Sequence, residues 1–586
     1  MAATRRHERQ ARAPRLPRLR LALASPILLG LPALIFVGVF AIWPLADFLF
    51  QGVIAKGEFS FIQFQRLLAS TTFFIVLGRT LLAAVTVTAI CLVLAYPMAF
   101  ALTKARGGLK TVLIGLVVLP YLTSVIVRTY AWAALLAIEG PVNDALTGLG
   151  LVSEPMLLGH SDFGTYVGMT HILLPIAVLT LWSGLEKIDP LQRTVAASLG
   201  ASRVEAFLTV FLPQSAAAMA SAASLVYILA LGAYVIPATL GGTRGLLFAQ
   251  LVVEQATSLL NWNLSGAMAV VMLVAAALPA LVFAALRKVG ARAGRGRAVG
   301  RGQALFARTV QPALDRLPDA LWTWGWRIAA ALVLAFLLAP ELVVFAFSFG
   351  PERQITFPPA FFTLDGYAST LSDPSWMQPL KRSVVYALLD ALIATALGAL
   401  AAYGFARGKA AFAAAATALL VVPVVLPEIV IAISYFIFAN RIGIAGTAEA
   451  IVLGQAASCV GLVVVILSTI VRQVDVNIEH AATMCGASRA RLLKEIVLPL
   501  IAPGLVVAFV YGFLHAFDNL VLPLFIAGTN VTVPVRMFLA LQEELTSAPA
   551  VIASLLIAVL VLGLTAALTL SRTTSLKIPL LGGKDA

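Results

Sequence analysis

The stretch IDPLQRTVAASLGASRVEAFLTVFLP at residues 188–213 returns as VDVNIEHAATMCGASRARLLKEIVLP at residues 474–499. The two copies align without a gap, so that each residue of the first has its counterpart 286 positions later. The identical pairs are Asp189/Asp475, Ala196/Ala482, Gly200/Gly486, Ala201/Ala487, Ser202/Ser488, Arg203/Arg489, Leu212/Leu498 and Pro213/Pro499. An in-register repeat of this kind indicates a chain built from two copies of one unit.

Each copy, hereafter the first and the second repeated segment, is a polar stretch set between strongly apolar ones. Its Ala-rich start, Gly-Ala-Ser turn and closing Leu-Pro predict two short helices joined at a bend, the second ended by Pro213 or Pro499. In the second copy, Leu492, Leu493, Ile496 and Val497 share one helical face, and Arg489, Arg491 and Lys494 lie elsewhere. That pattern is typical of a helix that docks on a partner. An ordinary loop with a helical turn is the alternative, and the repetition favours docking.

The composition is that of an integral membrane protein. Apolar residues make up 61% of the 586 residues and charged residues 12%, and the mean hydropathy is +0.97. The net charge of +14 would suit nucleic acid in a soluble protein, but the basic residues gather between apolar runs, as in cytoplasmic loops. We therefore expect no nucleic-acid partner. Cys91, Cys459 and Cys485 are too widely separated to indicate a disulfide or metal framework.

The apolar runs predict an all-α protein with about twelve transmembrane helices. The predicted spans are 21–46, 73–103, 111–136, 166–186, 215–239, 265–286, 326–349, 383–405, 411–438, 452–471, 502–524 and 552–571. Basic residues mark alternate loops, which predicts that both termini are cytoplasmic. The predicted units are a basic tail at 1–20, a first half at 21–286, a Gly/Arg-rich linker at 287–325, a second half at 326–572 and a tail at 573–586.

The two halves are predicted to be parallel repeats. With six helices in each half, both repeated segments lie between the fourth and fifth helix and on one side of the membrane. We find no G-x-x-x-x-G-K-[ST] phosphate loop, acidic metal loop or nucleophile elbow in the sequence. If ATP drives this protein, a separate chain binds it.

Ionisable residues inside membrane spans are costly and are therefore functional candidates. Asp390, Glu428 and Asp518 lie in second-half spans, and their distance from the basic loops predicts the outer part of the membrane. They could line a path for a cationic solute, or pair with the first-half Arg128 as internal structure. Aromatic residues that could surround an alkyl-ammonium chain, or serve only as packing, are Tyr130, Trp132, Tyr234, Tyr435 and Phe517.

The repeated segments resemble the EAA loop of ABC-importer permeases, the helix that inserts into a groove on the ATPase subunit. The shared pattern is Ala-Ala, three residues, Gly, nine residues, then Ile/Val-x-Leu-Pro. The matching positions are Ala481, Ala482, Gly486, Ile496, Leu498 and Pro499 in the second copy, and Ala196, Gly200, Val210, Leu212 and Pro213 in the first. The acidic position that names the loop is Thr194 here and His480 there. The resemblance implies ATPase coupling through Ala196, Gly200, Ala201, Ser202, Arg203, Leu212 and Pro213, and through Ala482, Gly486, Ala487, Ser488, Arg489, Leu498 and Pro499.

Other stretches are similar to permease subunits of spermidine/putrescine ABC importers. LPYLTSVIVRTYAW (119–132) and LGAYVIPATLGG (231–242) look like the first subunit, and AAYGFAR (401–407), VLPEIVIAI (425–433) and FLHAFDNLVLPLFIAG (513–528) like its partner. Glu428 and Asp518 match acidic positions of that family, whereas Asn519, a further path candidate, stands where a second acid is common. Permeases for ferric iron, thiamine and other small solutes share much of this pattern.

The resemblance implies a fused permease in a bacterial inner membrane, with no catalytic residue or cofactor of its own. ATP and Mg²⁺ would lie on a partner ATPase dimer, and an extracytoplasmic binding protein would deliver a small solute that could be cationic. A twelve-helix secondary transporter is a rival. It would, however, carry its repeated motif between the second and third helices, where this chain has KARGGLK and RGKAAF. An intramembrane enzyme is a weaker rival, because no Ser/His, metal or paired-Asp constellation lies within a span.

Overall fold

The part of the chain that the structure describes is almost entirely helical, as predicted. A computed structural model describes residues 26–55, 57–242, 245–292, 319–351, 361–543 and 546–573. Within these ranges the only strands form one small antiparallel hairpin, β1 (Ile54–Ala55) and β2 (Glu58–Phe59), in which Ile54 pairs with Phe59. The predicted tail at 1–20, residues 574–586 of the other tail, and residues 293–318 of the predicted linker lie outside the described residues.

Nine helices in the described ranges are long and apolar enough to cross a membrane, or up to eleven if each of two bent pairs is one span. A further helix, Ser547–Thr573, corresponds to the twelfth predicted span. Its part Ser547–Val559 is an apolar helix shorter than the other spans. We number them in chain order as spans 1 to 12: Pro26–Gln51, Thr71–Lys104, the pair Gly107–Leu122 and Val125–Leu135, Asp162–Leu185, Arg203–Leu231, Trp262–Arg292, Asp319–Phe347, Pro374–Ala406, the pair Ala410–Val425 and Glu428–Arg441, Ala448–Val471, Arg489–Asp518, and Ser547–Thr573.

Shorter helices join the spans. They are Ile62–Ala69, Pro141–Gly148, Leu191–Ser198, Val235–Leu240, Phe248–Val253, Asp365–Ser372, Val476–Met484, Val521–Ile526 and Val533–Glu543. The repeated segments begin after spans 4 and 10 and run into spans 5 and 11, so the two six-helix units are parallel repeats. We call the membrane side that carries them the repeat side.

Spans 3 and 9 are sharply bent, whereas the sequence predicted continuous helices at 111–136 and 411–438. Their two parts meet at 89° in span 3 and 95° in span 9. Thr123 and Leu426 are extended at the breaks, with ψ of 149° and 154°. In span 9 the cause is Pro427, since a proline disfavours the helical conformation of the residue before it.

The prediction that Pro213 and Pro499 end a docking helix is wrong, as spans 5 and 11 show. Each proline lies inside a continuous helix that begins in the repeated segment and enters the membrane. A widened π-helical turn, Phe207–Phe211 or Leu492–Val497, ends two residues before the proline. Because proline lacks an N–H, a helix tolerates it where the hydrogen-bond register has already shifted.

The first spans of the two halves are exchanged. Span 1 packs along spans 8, 9 and 10 of the second half and meets its own half through span 6, while span 7 packs along spans 2 and 3 of the first half and on span 12. An ion pair of 2.7 Å between Arg441 in span 9 and Asp47 in span 1 adds to this contact. The largest buried apolar cluster accordingly contains residues of both halves.

Close helix contacts predict which glycines cannot be replaced. A Cβ on Gly461 in span 10 would lie 2.0 Å from the Leu420 carbonyl oxygen of span 9, whereas a Cβ on Gly115 meets nothing within 4 Å. We expect Gly461→Ala to lower the free energy of unfolding by about 1–3 kcal/mol, because the two helices must separate. Gly115→Ala should be neutral or slightly stabilising. Thermal unfolding in detergent checks this, and equal midpoints for the two variants would contradict it.

Candidate functional sites

The two repeated segments fold in the same way. In each, an aspartate side chain begins the first helix: Asp189 accepts a hydrogen bond from the Leu191 N–H, and Asp475 from the Asn477 N–H, both at 2.9 Å. Such a carboxylate satisfies a free N–H at the helix start. The identical residues of the sequence repeat therefore reflect an identical local fold.

Gly200 and Gly486 end these first helices in the left-handed conformation, with φ of +89° and +84°. The N–H of the following alanine, Ala201 or Ala487, donates to the carbonyl of Ala196 or Ala482 at 3.0 Å in both copies. This is a Schellman turn, in which only glycine has no steric cost. Ala196, Ala201, Ala482 and Ala487 are half-buried and shape this turn.

The next helix begins at a serine in both copies. Ser202 accepts from the Glu205 N–H at 3.0 Å, and Ser488 from the Arg491 N–H at 3.3 Å. Arg203 and Arg489 follow as exposed first residues of spans 5 and 11. Farther along, Leu212 is half-buried, and Pro213, Leu498 and Pro499 are exposed.

The most exposed apolar side chains of the repeated segments lie at the ends of the first helices. Leu199 is 84% and Met484 89% exposed, and Thr194 and His480 are exposed beside them. The face of Leu492 and Val497, for which the sequence indicated docking, is instead buried against Tyr403, Val471 and Ile501. Leu199 and Met484 are therefore the most exposed apolar positions of the two segments.

The turn geometry generates a prediction. Gly486→Ala should destabilise the Schellman turn by about 1 kcal/mol, because L residues with a Cβ disfavour this backbone conformation. Gly486→Asn should cost less, since asparagine tolerates it. Amide hydrogen exchange over 476–488 measures the difference, and equal exchange in the two variants would contradict the assignment.

A second candidate site forms where the breaks of spans 3 and 9 meet the ends of spans 11 and 5. The Val125 N–H of the first half donates to Oδ1 of Asp518 in the second half at 3.1 Å. In the reciprocal contact, a Cβ on Gly232 would lie 2.8 Å from the Cβ of Pro427. The two halves therefore meet through equivalent elements, with a carboxylate on one side and a glycine on the other.

Glu428 and Asn519 form the second-half part of this site. The Asn519 amide donates to Glu428 Oε1 at 3.1 Å, and its own oxygen accepts from the Leu522 N–H at 3.1 Å. The Glu428 side chain is exposed, and Tyr121, in the first part of span 3, is 42% exposed. Both side chains are therefore accessible to solvent.

Arg128, in the second part of span 3, is buried with 2% exposure. Its Nη1 donates to the Ile172 carbonyl at 3.5 Å. Asp518 and Glu341 are close enough to attract the guanidinium electrostatically but do not form an ion pair with it. The alternative in which Arg128 pairs directly with a second-half acid is thus not realised in this conformation. Its charge balances the carboxylates at longer range.

Glu341 in span 7 is a residue that the sequence reasoning missed. It accepts a hydrogen bond of 2.7 Å from the Thr123 hydroxyl at the break of span 3 and is 5% exposed. The signal was present, because Glu341 is an acid inside the predicted span 326–349. Thr123, at the break itself, carried no comparable signal.

Several predicted path residues lie away from accessible space in this conformation. Tyr130 (0% exposed) and Tyr435 (1%) donate to the carbonyls of Thr546 and Ala450, both at 2.8 Å, and Trp132 is 7% exposed. The remaining aromatic candidates, Tyr234 and Phe517, are half-buried and contact Phe525 and Phe513 respectively.

Asp390 is separate from the other acids. It lies near the middle of the helix Pro374–Ala406 and is fully buried. Neither of its carboxylate oxygens has a hydrogen-bond partner. Among the residues that the structure describes, no group of three or more His, Cys, Asp or Glu side chains could hold a metal ion.

Two stretches of the chain, residues 91–295 and 394–572, match the model of one family, the binding-protein-dependent transport system inner membrane component. Each stretch contains one repeated segment, and together they make up more than half of the chain. The chain belongs to this family and is a multi-pass membrane permease in which two such units are joined.

Individual relatives match a third of the chain. The spermidine/putrescine transport system permease protein PotB of Haemophilus influenzae is 30% identical over 196 residues, 33% of this chain and 68% of the relative. The PotB protein of Escherichia coli is 28% identical over 200 residues, 34% of this chain and 73% of the relative. The trehalose transport system permease protein SugB of Mycobacterium tuberculosis is 30% identical over 221 residues, which are 36% of this chain and 79% of the relative.

Among solved structures, a bacterial ABC transporter involved in the import of the acidic polysaccharide alginate matches with a TM-score of 0.36 and 17% identity. The match covers 45% of this chain and 94% of that one.

Proposed function

We propose that this chain supplies both membrane-spanning halves of an ABC importer and that it translocates a polyamine. Family membership and the two repeated segments support the first part. The observation that carries the second is the accessible Glu428, to which Asn519 donates a hydrogen bond close to the boundary between the halves. An acid in that position would attract a cationic amine in a low-dielectric setting.

In this proposal the repeat side is cytoplasmic, both termini lie in the cytoplasm and the protein resides in a bacterial inner membrane. An ATPase dimer, which holds ATP and Mg²⁺, docks on the helix ends at Leu199 and Met484. A binding protein delivers solute from the opposite side. Nucleotide-driven closure of the ATPase would then move spans 5 and 11 directly, because each is continuous with its repeated segment.

Asp518 would serve as a contact that opens during transport. Its carboxylate caps the helix Val125–Leu135 across the boundary between the halves. Separation of the halves breaks that hydrogen bond and leaves the carboxylate available to the amine. The carboxyl groups of Glu428, Asp518 and Glu341 outnumber the one basic side chain, Arg128, which favours a cation over an anionic solute.

The docking surface is tested with charge substitutions. Leu199→Asp and Met484→Asp should each reduce copurification of the ATPase encoded with this permease, on the order of ten-fold, because a buried charge replaces an apolar contact. Leu149→Asp is the control, since Leu149 is 74% exposed but lies in the loop between spans 3 and 4, on the opposite side. Transport by the purified chain alone along an ion gradient would contradict the proposal.

The solute class is tested at Glu428. We expect Glu428→Gln to lower uptake of putrescine or spermidine on the order of ten-fold, because a charge-assisted contact of about 1.5–3 kcal/mol is lost. Glu449→Gln, at an exposed acid in the first turn of span 10, is the matched control. Uptake in proteoliposomes containing the full complex measures this. Unchanged polyamine uptake, or uptake of trehalose but not of amines, would overturn the assignment.

A further inference from the structure

A buried ion pair lies beneath the second repeated segment. It joins Glu479, in the helix Val476–Met484, to Arg407, at the end of span 8, with side-chain exposures of 8% and 12%. Arg407 donates from Nε and Nη2 to Glu479 Oε1 at 2.9 and 2.7 Å. The Tyr403 hydroxyl donates to the other carboxylate oxygen at 2.9 Å. Both oxygens of Glu479 are therefore held by span 8.

The same arginine also binds the turn that precedes the helix. Its Nη2 donates to the Val474 carbonyl at 2.8 Å, so one guanidinium bridges the turn and the helix. Breaking a buried pair on one side leaves the other charge unpaired, which costs more than the pair contributes when intact. The helix Val476–Met484 and the end of span 8 must accordingly move as one body.

Span 8 is well placed to pass such a movement on. It packs along spans 10 and 11 of its own half and along the exchanged span 1. Displacement of the second segment therefore acts on the second half through two helices, directly through span 11 and laterally through span 8.

The first half is built differently at this point. The position equivalent to Glu479 is Arg193, so the first segment has no carboxylate there. Tyr96, near the repeat-side end of span 2 as Tyr403 is in span 8, donates to Ser215 of span 5 at 3.1 Å instead. In the first segment, Gln192 is bonded to Gln214 at an exposed position.

We propose that Arg407, Glu479 and Tyr403 form a positioning cluster that couples the second repeated segment to span 8, so that the two segments transmit ATPase movement unequally. This inference rests on the proposed importer function. None of the three residues touches solute or nucleotide; they act by fixing the docking helix against the transport helices.

The test compares Glu479→Gln and Arg407→Gln with the wild type in proteoliposomes containing the ATPase and the binding protein. We expect the amount of solute taken up per ATP hydrolysed to fall about five-fold or more, while ATP hydrolysis persists. Arg407→Lys should give an intermediate ratio, because a single ammonium cannot reproduce the planar set of donors. Glu186→Gln is the control: it removes an acid paired with Lys110 on the repeat side, outside the repeated segments.

A second measurement uses the permease alone. Amide hydrogen exchange over 476–484 should rise several-fold in Glu479→Gln and stay unchanged in Glu186→Gln. An unchanged uptake-to-hydrolysis ratio, or a parallel loss of uptake, hydrolysis and thermal stability, would overturn the coupling role. If the wild-type complex neither hydrolyses ATP nor transports, the proposed function fails, whereas the exchange measurement still decides whether this contact holds the helix.

Discussion

The structure depends on finding hydrogen-bond partners for the backbone groups that two helix breaks leave free inside the membrane, one in span 3 and one in span 9. A helix interrupted in a low-dielectric interior exposes N–H and carbonyl groups that must find partners within the protein. At the break of span 3, Asp518 of the opposite half accepts the freed Val125 N–H, and the Thr123 hydroxyl bonds to Glu341. At the break of span 9, Pro427 removes one donor and packs against Gly232. The breaks are thus stable only because the halves meet there, which places the site on the boundary between them.

Much of this architecture could be predicted from the sequence. The apolar runs indicated twelve spans, and the repeat indicated two parallel units. Both could be predicted because these sequence patterns do not depend on how the helices pack. The breaks at Thr123 and Leu426 were not predicted, since hydrophobicity continues through both. The prolines at 213 and 499 suggested helix ends, but the π-helical turns before them keep the helices continuous.

The candidate sites were less predictable, because burial depends on tertiary contacts. Glu479 and His480 are neighbours in sequence, yet consecutive helical residues differ in direction by about 100°. Glu479 therefore points inward to Arg407, whereas His480 is exposed. Asp390 and Asp518 also look alike in sequence. However, Asp390 is buried in span 8 and its carboxylate has no hydrogen-bond partner, whereas Asp518 accepts a hydrogen bond from the first N–H of a helix in the opposite half. Only their neighbours distinguish these roles.

The exchange of spans 1 and 7 has a consequence for biosynthesis. Span 1 leaves the ribosome first, but the surfaces against which it packs, on spans 8 to 10, are made only after the whole first half has been inserted. Until then its apolar surface faces lipid or a temporary chaperone, and the first half cannot reach its final form by itself. Because both halves belong to one polypeptide, spans 8 to 10 are always made close to span 1 and in equal number. Two separately translated subunits would first have to meet by diffusion in the bilayer.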